Sequence, residues 1–232
     1  MRIGLFGYGK MGKMLAQLAS QRNHQVVAKV DVGTQDIDFD QMDCAIDFST
    51  PTAAFDNIRN CIDHGVPIVS GTTGWLDRYD EITEYCNEKK GAFIYASNFS
   101  LGVNLFFELN EKLAKMMNGF DEYKVSMEEI HHVHKLDAPS GTAITLAKGV
   151  VHNSDYTGWT LHEGNKNEIP IRSKREGEVP GTHLVSYDSA IDSIEIKHTA
   201  HNRQGFALGA IIAAEWLVDK TGVFSMKDVL NL

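Results

Sequence analysis

Gly7, Tyr8, Gly9, Lys10, Met11 and Gly12 spell GxGxxG directly after the short apolar run Arg2-Ile3-Gly4-Leu5-Phe6. An apolar, Ala-containing stretch with helical spacing, residues 11–20, follows at once. Glycines are common, but the order strand, glycine turn, helix leaves a chain few folds to adopt. Gly7 permits the tight turn, Gly9 lets backbone approach a pyrophosphate, and Gly12 lets helix and strand pack closely. Asp31 closes the next apolar run, residues 25–30. It lies about 20 residues past the motif, where a carboxylate accepts hydrogen bonds from an adenosine ribose. These features together read as a dinucleotide-binding unit. The alternative is a plain glycine turn beside an ordinary surface Asp.

The pattern beyond the motif agrees. Strand-like runs at residues 44–48, 66–70 and 92–96 alternate with helix-like runs at 51–62 and 78–89. Pro51 suits the first turn of its helix. Alternation over about the first hundred residues predicts an α/β fold with a Rossmann-type, doubly wound parallel sheet. The character then changes. Leu101, Leu105, Phe106, Leu109, Leu113 and Met116 mark a long amphipathic helix. Tyr123, Val125 and Met127 alternate as a strand, residues 140–151 read as a helix, and Ile194 and Ile196 share one face of a second strand. Residues 152–181 are polar, turn-rich and without a clear assignment. This half predicts a second α+β domain with an open mixed sheet, one face covered by helices, of a kind that can build a subunit interface. Periodicity does not say which domain the apolar helix at 206–217 joins.

The chain has 232 residues and a formal net charge of −9. That charge argues against general nucleic-acid binding, which needs a positive field along the phosphates. It leaves an anionic cofactor open, because backbone N–H groups and a helix N-terminus act locally. Cys44, Cys61 and Cys86 form no CxxC or zinc-like spacing, so reduced buried thiols of a cytoplasmic protein are expected. Residues 209–218 are too short, and Glu215 too polar, for a membrane span, and no signal peptide is expected.

Two further loops follow predicted strands. Gly71-Thr72-Thr73-Gly74 and Ala96-Ser97-Asn98-Phe99 lie where ligands bind open α/β sheets, beyond the carboxyl ends of strands. Either alone also fits a plain loop. The reactive stretch is Glu128 to Ala143, reading EEIHHVHKLDAPSGTA. It gathers His131, His132, His134 and Lys135, then an Asp137-Ala138-Pro139 turn, then Ser140-Gly141-Thr142 opening a helix. If strand geometry continues, His131 and His132 point to opposite sides. Ser140 is placed to be the N-cap, leaving the N–H groups of Gly141 and Thr142 as a carboxylate site. Crowded cations should favour loss of a proton from one of them, which suits general acid work. Solvated histidines at a strand end are one alternative. A metal held by His132 and His134 is another, disfavoured by Lys135 between the charges and by the lack of a third ligand at fixed spacing.

The run Glu129-Ile130-His131-His132-Val133-His134-Lys135-Leu136-Asp137-Ala138-Pro139-Ser140-Gly141-Thr142-Ala143 resembles the signature of the 4-hydroxy-tetrahydrodipicolinate reductase (dihydrodipicolinate reductase) family. Asp47-Phe48-Ser49-Thr50-Pro51, Gly71-Thr72-Thr73-Gly74, Asn98-Phe99-Ser100, Val179-Pro180-Gly181-Thr182-His183 and the run from His198 through Arg203 and Phe206 to Gly209-Ala210 are similar too. The resemblance spans essentially the whole chain. It implies NAD(P)H-dependent reduction of 4-hydroxy-tetrahydrodipicolinate to tetrahydrodipicolinate in lysine and diaminopimelate biosynthesis. It implies His131 as proton donor or acceptor and Lys135 as proton donor to the substrate. His132, Ser140, Gly141 and Thr142 would hold substrate carboxylates. Gly7 to Gly12, Asp31, Gly71, Thr72, Thr73, Ala96, Ser97, Asn98 and Phe99 would hold the cofactor. No metal is implied.

The resemblance also implies that residues 207–232 complete a cofactor domain of residues 1–101. Residues 102–206 would then bind substrate and form a homotetramer. The glycine loop is one residue shorter than in many members, and Val32 stands where an Arg often follows the acidic ribose ligand. Asp31 without that Arg leans to NADH, although Lys10 and Lys29 leave NADPH open. Arg175 and Arg203 match without an assigned role. The competing readings are another two-domain NAD-dependent amino-acid dehydrogenase and a non-catalytic NAD-binding sensor. Under the reductase reading, Lys135→Ala and His131→Ala each lower kcat far more than they weaken NADH binding. Steady-state turnover beside an NADH titration checks this, and near-full activity in both variants would sink the role assignment.

Overall fold

The computed structural model describes all residues except Gln35, Glu163, Gly164, Asn165 and Arg203. The chain divides into two compact units, Met1–Leu101 with Gln204–Leu232, and Gly102–Arg203.

The first unit carries a six-stranded sheet. Its strands are β1 (Arg2–Phe6), β2 (Gln25–Val30), β3 (Cys44–Asp47), β4 (Ile68–Ser70), β5 (Ala92–Tyr95) and β11 (Gly222–Phe224). The order is β11-β5-β4-β3-β1-β2 and every pairing is parallel. Period-two alternation sorts the side chains between two faces. Ile3, Leu5, Cys44 and Ile46 join α1 (Lys10–Gln21) and α6 (Gln204–Leu217) in one core. Phe6 and Ala45 join α2 (Pro51–Asp63) and α3 (Tyr79–Glu88) in the other. The chain leaves β1 for β2 and returns to β3 on the other side of β1. The gap between the β1 and β3 carboxyl ends is therefore the topological switch point, where open α/β sheets bind ligands.

The second unit carries a five-stranded sheet with order β10-β9-β6-β8-β7. Its strands are β6 (Lys124–His131), β7 (Gly158–Thr160), β8 (Glu168–Arg175), β9 (Gly181–Asp188) and β10 (Ser193–Ala200). β6 pairs parallel with β8 and antiparallel with β9, so the sheet is mixed. Val125, Met127, Ile169, Ile171, Val185 and Tyr187 point to one face, under α4 (Leu101–Met117) and α5 (Gly141–His152). The opposite face is polar, with Glu128 bridging Lys174 at 2.8 Å and Arg172 at 3.9 Å.

The elements differ from the sequence expectation in three places. Residues 152–181 hide two strands: Ile169 and Ile171 do alternate, but Pro170 between them reads as a strand breaker. Strand β9 is a further element that periodicity does not mark, and its first three residues Gly181, Thr182 and His183 are buried. The last residues add β11 and the short helix α7 (Met226–Leu230), whose N-cap Ser225 and Asp228 form a capping box.

Helix α6 locks into the first unit by close backbone approach. A Cβ on Gly209 would stand 1.8 Å from the Phe99 carbonyl oxygen. Alanine normally favours a helix over glycine by about 1 kcal/mol. Here the added methyl must push backbone apart, which costs about 1–3 kcal/mol in a packed core. Gly209→Ala should therefore lower the urea midpoint of the full chain. A midpoint equal to or above the wild-type value would show that α6 and the Phe99 segment separate freely.

Candidate active site

In the first unit, the glycine loop sits at the carboxyl end of β1. Gly7 has φ +88°, and a Cβ there would lie 2.2 Å from the Phe48 carbonyl oxygen. A Cβ on Gly12 would lie equally close, 2.2 Å, to the Gly7 carbonyl oxygen. Gly9 differs: a Cβ there meets nothing within 4 Å. It is also the N-cap of α1, with no side-chain cap and no acidic residue in the first turn. An open space before an uncapped helix N-terminus fits a pyrophosphate. Lys10 is exposed and Met11 packs partly into the core. Tyr8 lies under the Lys29 ammonium, 4.6 Å from ring centroid to nitrogen. Asp31 is exposed at the end of β2, and its Oδ1 accepts the Val32 N–H at 2.9 Å.

One residue that sequence reasoning left without a role organises the neighbouring loops. Asp47 ends β3 and is fully buried. Its carboxylate accepts from Ser49 Oγ (2.6 Å), Asn57 Nδ2 (3.0 Å), Ser70 Oγ (2.9 Å) and Thr72 Oγ1 (2.7 Å). The Thr72 hydroxyl also accepts the Ser49 N–H at 2.9 Å. Thr72, expected to face the cofactor, thus turns its hydroxyl inward. Phe99 is likewise a core residue, 1% exposed and edge-on to Phe48. Gly71 gives way to the Phe48 ring, Thr73 and Ser97 are exposed, Ala96 is half-buried, and Asn98 Oδ1 accepts the Ser100 N–H at 2.9 Å. Burying Thr72 and Phe99 follows from their neighbours: a buried carboxylate needs donors, and an aromatic ring next to a core takes its place in it.

In the second unit, the reactive stretch leaves the end of β6. Alternation puts Glu129 and His131 on the helix-covered face, in line with Val125 and Met127. Ser173 and Arg175 extend the same row on β8, and His183 on β9. The apolar face of the sheet therefore turns polar at one end. Glu129 is fully buried there. Its carboxylate accepts from the Ser140 N–H at 3.1 Å, Ser173 Oγ at 2.8 Å and Arg175 Nη2 at 3.3 Å. His131 Nδ1 lies 3.3 Å away, at ion-pair distance, and His183 Nε2 at 3.8 Å. Burial pushes the Glu129 carboxyl up, but the adjacent His131 imidazole and the hydrogen bonds from Ser140 and Ser173 outweigh that and hold it well below the usual range.

Ser140 is the N-cap of α5, its hydroxyl accepting the Ala143 N–H at 3.2 Å. The N–H groups of Gly141 and Thr142 precede the first intrahelical bond and point out of the helix end. A Cβ on Gly141 would meet nothing within 4 Å. His132, just past the strand, is half-buried, with a buried Nδ1 that has no partner among the described residues. Lys135 Nζ sits 2.8 Å from both oxygens of Asp137. His134 is exposed beside Glu178.

The cations expected to crowd this stretch are close together, and groups of opposite charge stand beside them. Carboxylates meet them: Asp137 pairs with Lys135, and Glu129 with His131 and Arg175. The histidine driven neutral is His183, where burial and then the His131 charge lower the pKa from 6.5 to about 4. Glu129, His131 and His183 bring possible ligand atoms within 4.8 Å of one another. The Arg175 charge on the same carboxylate, and its oxygens already accepting from Ser140 and Ser173, fit an internal ion-pair network better than a dication. Sequence reasoning missed Glu129 and His183, though both stood in motifs it quoted. Arg203 lies outside the described residues.

A family model described as Dihydrodipicolinate reductase, N-terminus, matches residues 1–99. One described as Dihydrodipicolinate reductase, C-terminus, matches residues 102–230. The chain is 58% identical over 234 residues to a 4-hydroxy-tetrahydrodipicolinate reductase of Christiangramia forsetii, covering 100% of this chain and 98% of the relative. It is 36% identical over 233 residues to a 4-hydroxy-tetrahydrodipicolinate reductase of Thermosipho africanus, again covering 100% and 98%. Its fold is similar to that of a dipicolinate-bound dihydrodipicolinate reductase from Paenisporosarcina sp. TG-14, with TM-score 0.76, 22% identity and 97% of each chain covered.

The neutral His183 makes the second unit acid-sensitive. With the folded pKa below the unfolded one, the unfolded chain binds more protons between pH 6.5 and 4. Stability is full above about pH 6.5 and falls as pH drops toward 4, by at most about 3 kcal/mol from this residue. His198, also lowered by burial and by His201, acts in the same direction. Urea midpoints of wild type and His183→Phe across this range check it. The variant should show a shallower decline, and an identical slope would remove His183 as the cause.

Proposed function

The chain belongs to the dihydrodipicolinate reductase family, and on that premise we infer that it is an NAD(P)H-dependent 4-hydroxy-tetrahydrodipicolinate reductase. Hydride and a proton add to the cyclic dicarboxylate, water leaves, and tetrahydrodipicolinate results, a step of lysine and diaminopimelate synthesis. One observation carries the assignment of parts. The buried Glu129 touches both His131 and the Ser140 N–H, so a proton carrier and an open helix N-terminus share one anchor.

The reduced nicotinamide supplies the hydride when bound. Gly9 and the N-terminus of α1 take its pyrophosphate, and Asp31 takes the adenosine ribose. Val32, 97% exposed and uncharged, offers a 2′-phosphate nothing, and the Asp31 carboxylate repels it. The preferred cofactor is therefore NADH. In the second unit, the N–H groups of Gly141 and Thr142 and the half-buried His132 receive a substrate carboxylate, helped by the positive end of α5. Lys135 delivers the proton and His131 replenishes it. A substrate carboxylate reaching Lys135 competes with Asp137, whose own carboxyl Lys135 holds below its usual range. The protein works as a cytoplasmic homotetramer built through the second unit, whose polar sheet face, with Ser126, Glu128, Leu184, Ser186 and Glu195 around a groove of about 290 Å³, is free in the single chain.

The test uses the full chain with the freshly made condensation product of pyruvate and aspartate semialdehyde. Loss of reduced nicotinamide is followed with NADH and NADPH side by side. Turnover with both, and a higher kcat/KM with NADH, is expected, with pyridine-2,6-dicarboxylate competing against substrate. Cofactor binding without turnover would favour a sensor instead, and a higher kcat/KM with NADPH would overturn the reading of Asp31 and Val32.

A further inference from the structure

We infer that Arg175 is a positioning residue for Lys135: anchored on the buried Glu129, its guanidinium holds the backbone of the loop that carries the proton donor. This rests on the reading above that Lys135 protonates the substrate.

Backbone bonds hold the start of the loop between β6 and α5, from the Val133 N–H to the Gly177 carbonyl and from the Lys135 N–H to the His132 carbonyl, both at 3.1 Å. Val133 is 55% exposed and Leu136 is 99% exposed, so neither of its large apolar side chains is anchored in a core. Its hold is polar. Arg175 ends β8 directly opposite His131. Its Nη2 donates to the Asp137 carbonyl at 2.6 Å and to Glu129 Oε1 at 3.3 Å. Its Nε donates to the Lys135 carbonyl at 3.3 Å, and its Nη1 to its own neighbour's carbonyl, Lys174, at 2.7 Å. Four of the five N–H donors of a guanidinium are therefore spent on the protein. That count argues against Arg175 as a substrate carboxylate clamp, which needs two parallel donors free.

The two loop carbonyls flank Leu136, so one planar group sets the backbone on both sides of the turn that presents Lys135. Glu129 fixes the other end of the same loop through the Ser140 N–H. The pair Glu129–Arg175 thereby sets the distance between Lys135 and the α5 N-terminus, that is, between proton donor and carboxylate site. A lysine at position 175 keeps the charge beside Glu129 but lacks the rigid fork that reaches both carbonyls. Misplacing a reacting group by about 1 Å costs on the order of 100-fold in rate.

Arg175→Lys and Arg175→Ala, compared with wild type on the full chain, test this. The expected result is a kcat lowered about 100-fold in both, with NADH affinity unchanged and pyridine-2,6-dicarboxylate affinity altered less than about threefold, a tolerance well inside that effect. Added ethylguanidinium should restore part of kcat to Arg175→Ala and none to Lys135→Ala. Amide hydrogen exchange over residues 132–139 should quicken in Arg175→Lys while the rest of the second unit keeps its protection. This readout does not need turnover. An inactive wild type would sink the reductase reading, while exchange would still decide whether Arg175 holds the loop. Arg175→Lys, which leaves Glu129 a cation, decides the matter if Arg175→Ala does not fold. Near-wild-type kcat in the folded variants, a loss seen only in KM and dicarboxylate affinity, or unchanged exchange at 132–139 would each overturn the inference.

Discussion

A single buried carboxylate, Glu129, is the constraint around which the second unit is built. An ionised carboxylate away from water is tolerated only where charges and hydrogen bonds replace its hydration. Glu129 finds these in Ser140, Ser173, Arg175 and His131, drawn from β6, from β8 and from the residue before α5. Each partner is thereby fixed in place. The helix end is pinned to the sheet, the histidine is held at the rim of the core, and the guanidinium is aimed at the loop. Removing the carboxylate would leave Arg175 half-buried without the charge that answers it, and breaking such a pair typically costs about 3–5 kcal/mol.

The first unit uses the same device with different chemistry. Asp47 is as buried as Glu129, but its donors are all neutral: hydroxyls of Ser49, Ser70 and Thr72 and the amide of Asn57. Neutral donors gather two loops at the switch point of the sheet without adding charge there. The space before α1 keeps the helix dipole and its free N–H groups, which suits an anionic cofactor. In the second unit, by contrast, charged partners are useful. They leave cationic groups near the α5 N-terminus, balanced by Glu129 and Asp137 in the single chain.

Legibility differed between local and long-range features. Strands β1 to β5, helices α1 to α6 and the N-cap role of Ser140 all rest on periodicity or on contacts within a few residues. Those signals lie in adjacent letters. The polar run at 152–181 concealed β7 and β8, because Pro170 masks an alternation that packing against β6 makes decisive. Thr72 and Phe99 were read outward, toward a cofactor, although neighbours such as Asp47 and Gly209 turn them inward. The family signature contains Glu129, yet nothing in one dimension marks it as buried. Its partners Ser173 and Arg175 stand 44 and 46 residues away. The crowding of cations was legible, but the carboxylates that answer it depend on which residues share a face.

By itself, then, the amino-acid sequence determined the alternating α/β plan, the glycine turn, the capped helix after the histidines and the family signature that spans the chain. These are set by side-chain size, backbone freedom and short-range hydrogen bonding, all of which act between near neighbours. Tertiary structure alone decided that Glu129 is the anchor, that His183 is the histidine forced neutral, that Arg175 spends its donors on the Lys135 loop and that Asp47 ties the cofactor-side loops together. Burial and charge compensation act between residues that meet only when distant strands pair.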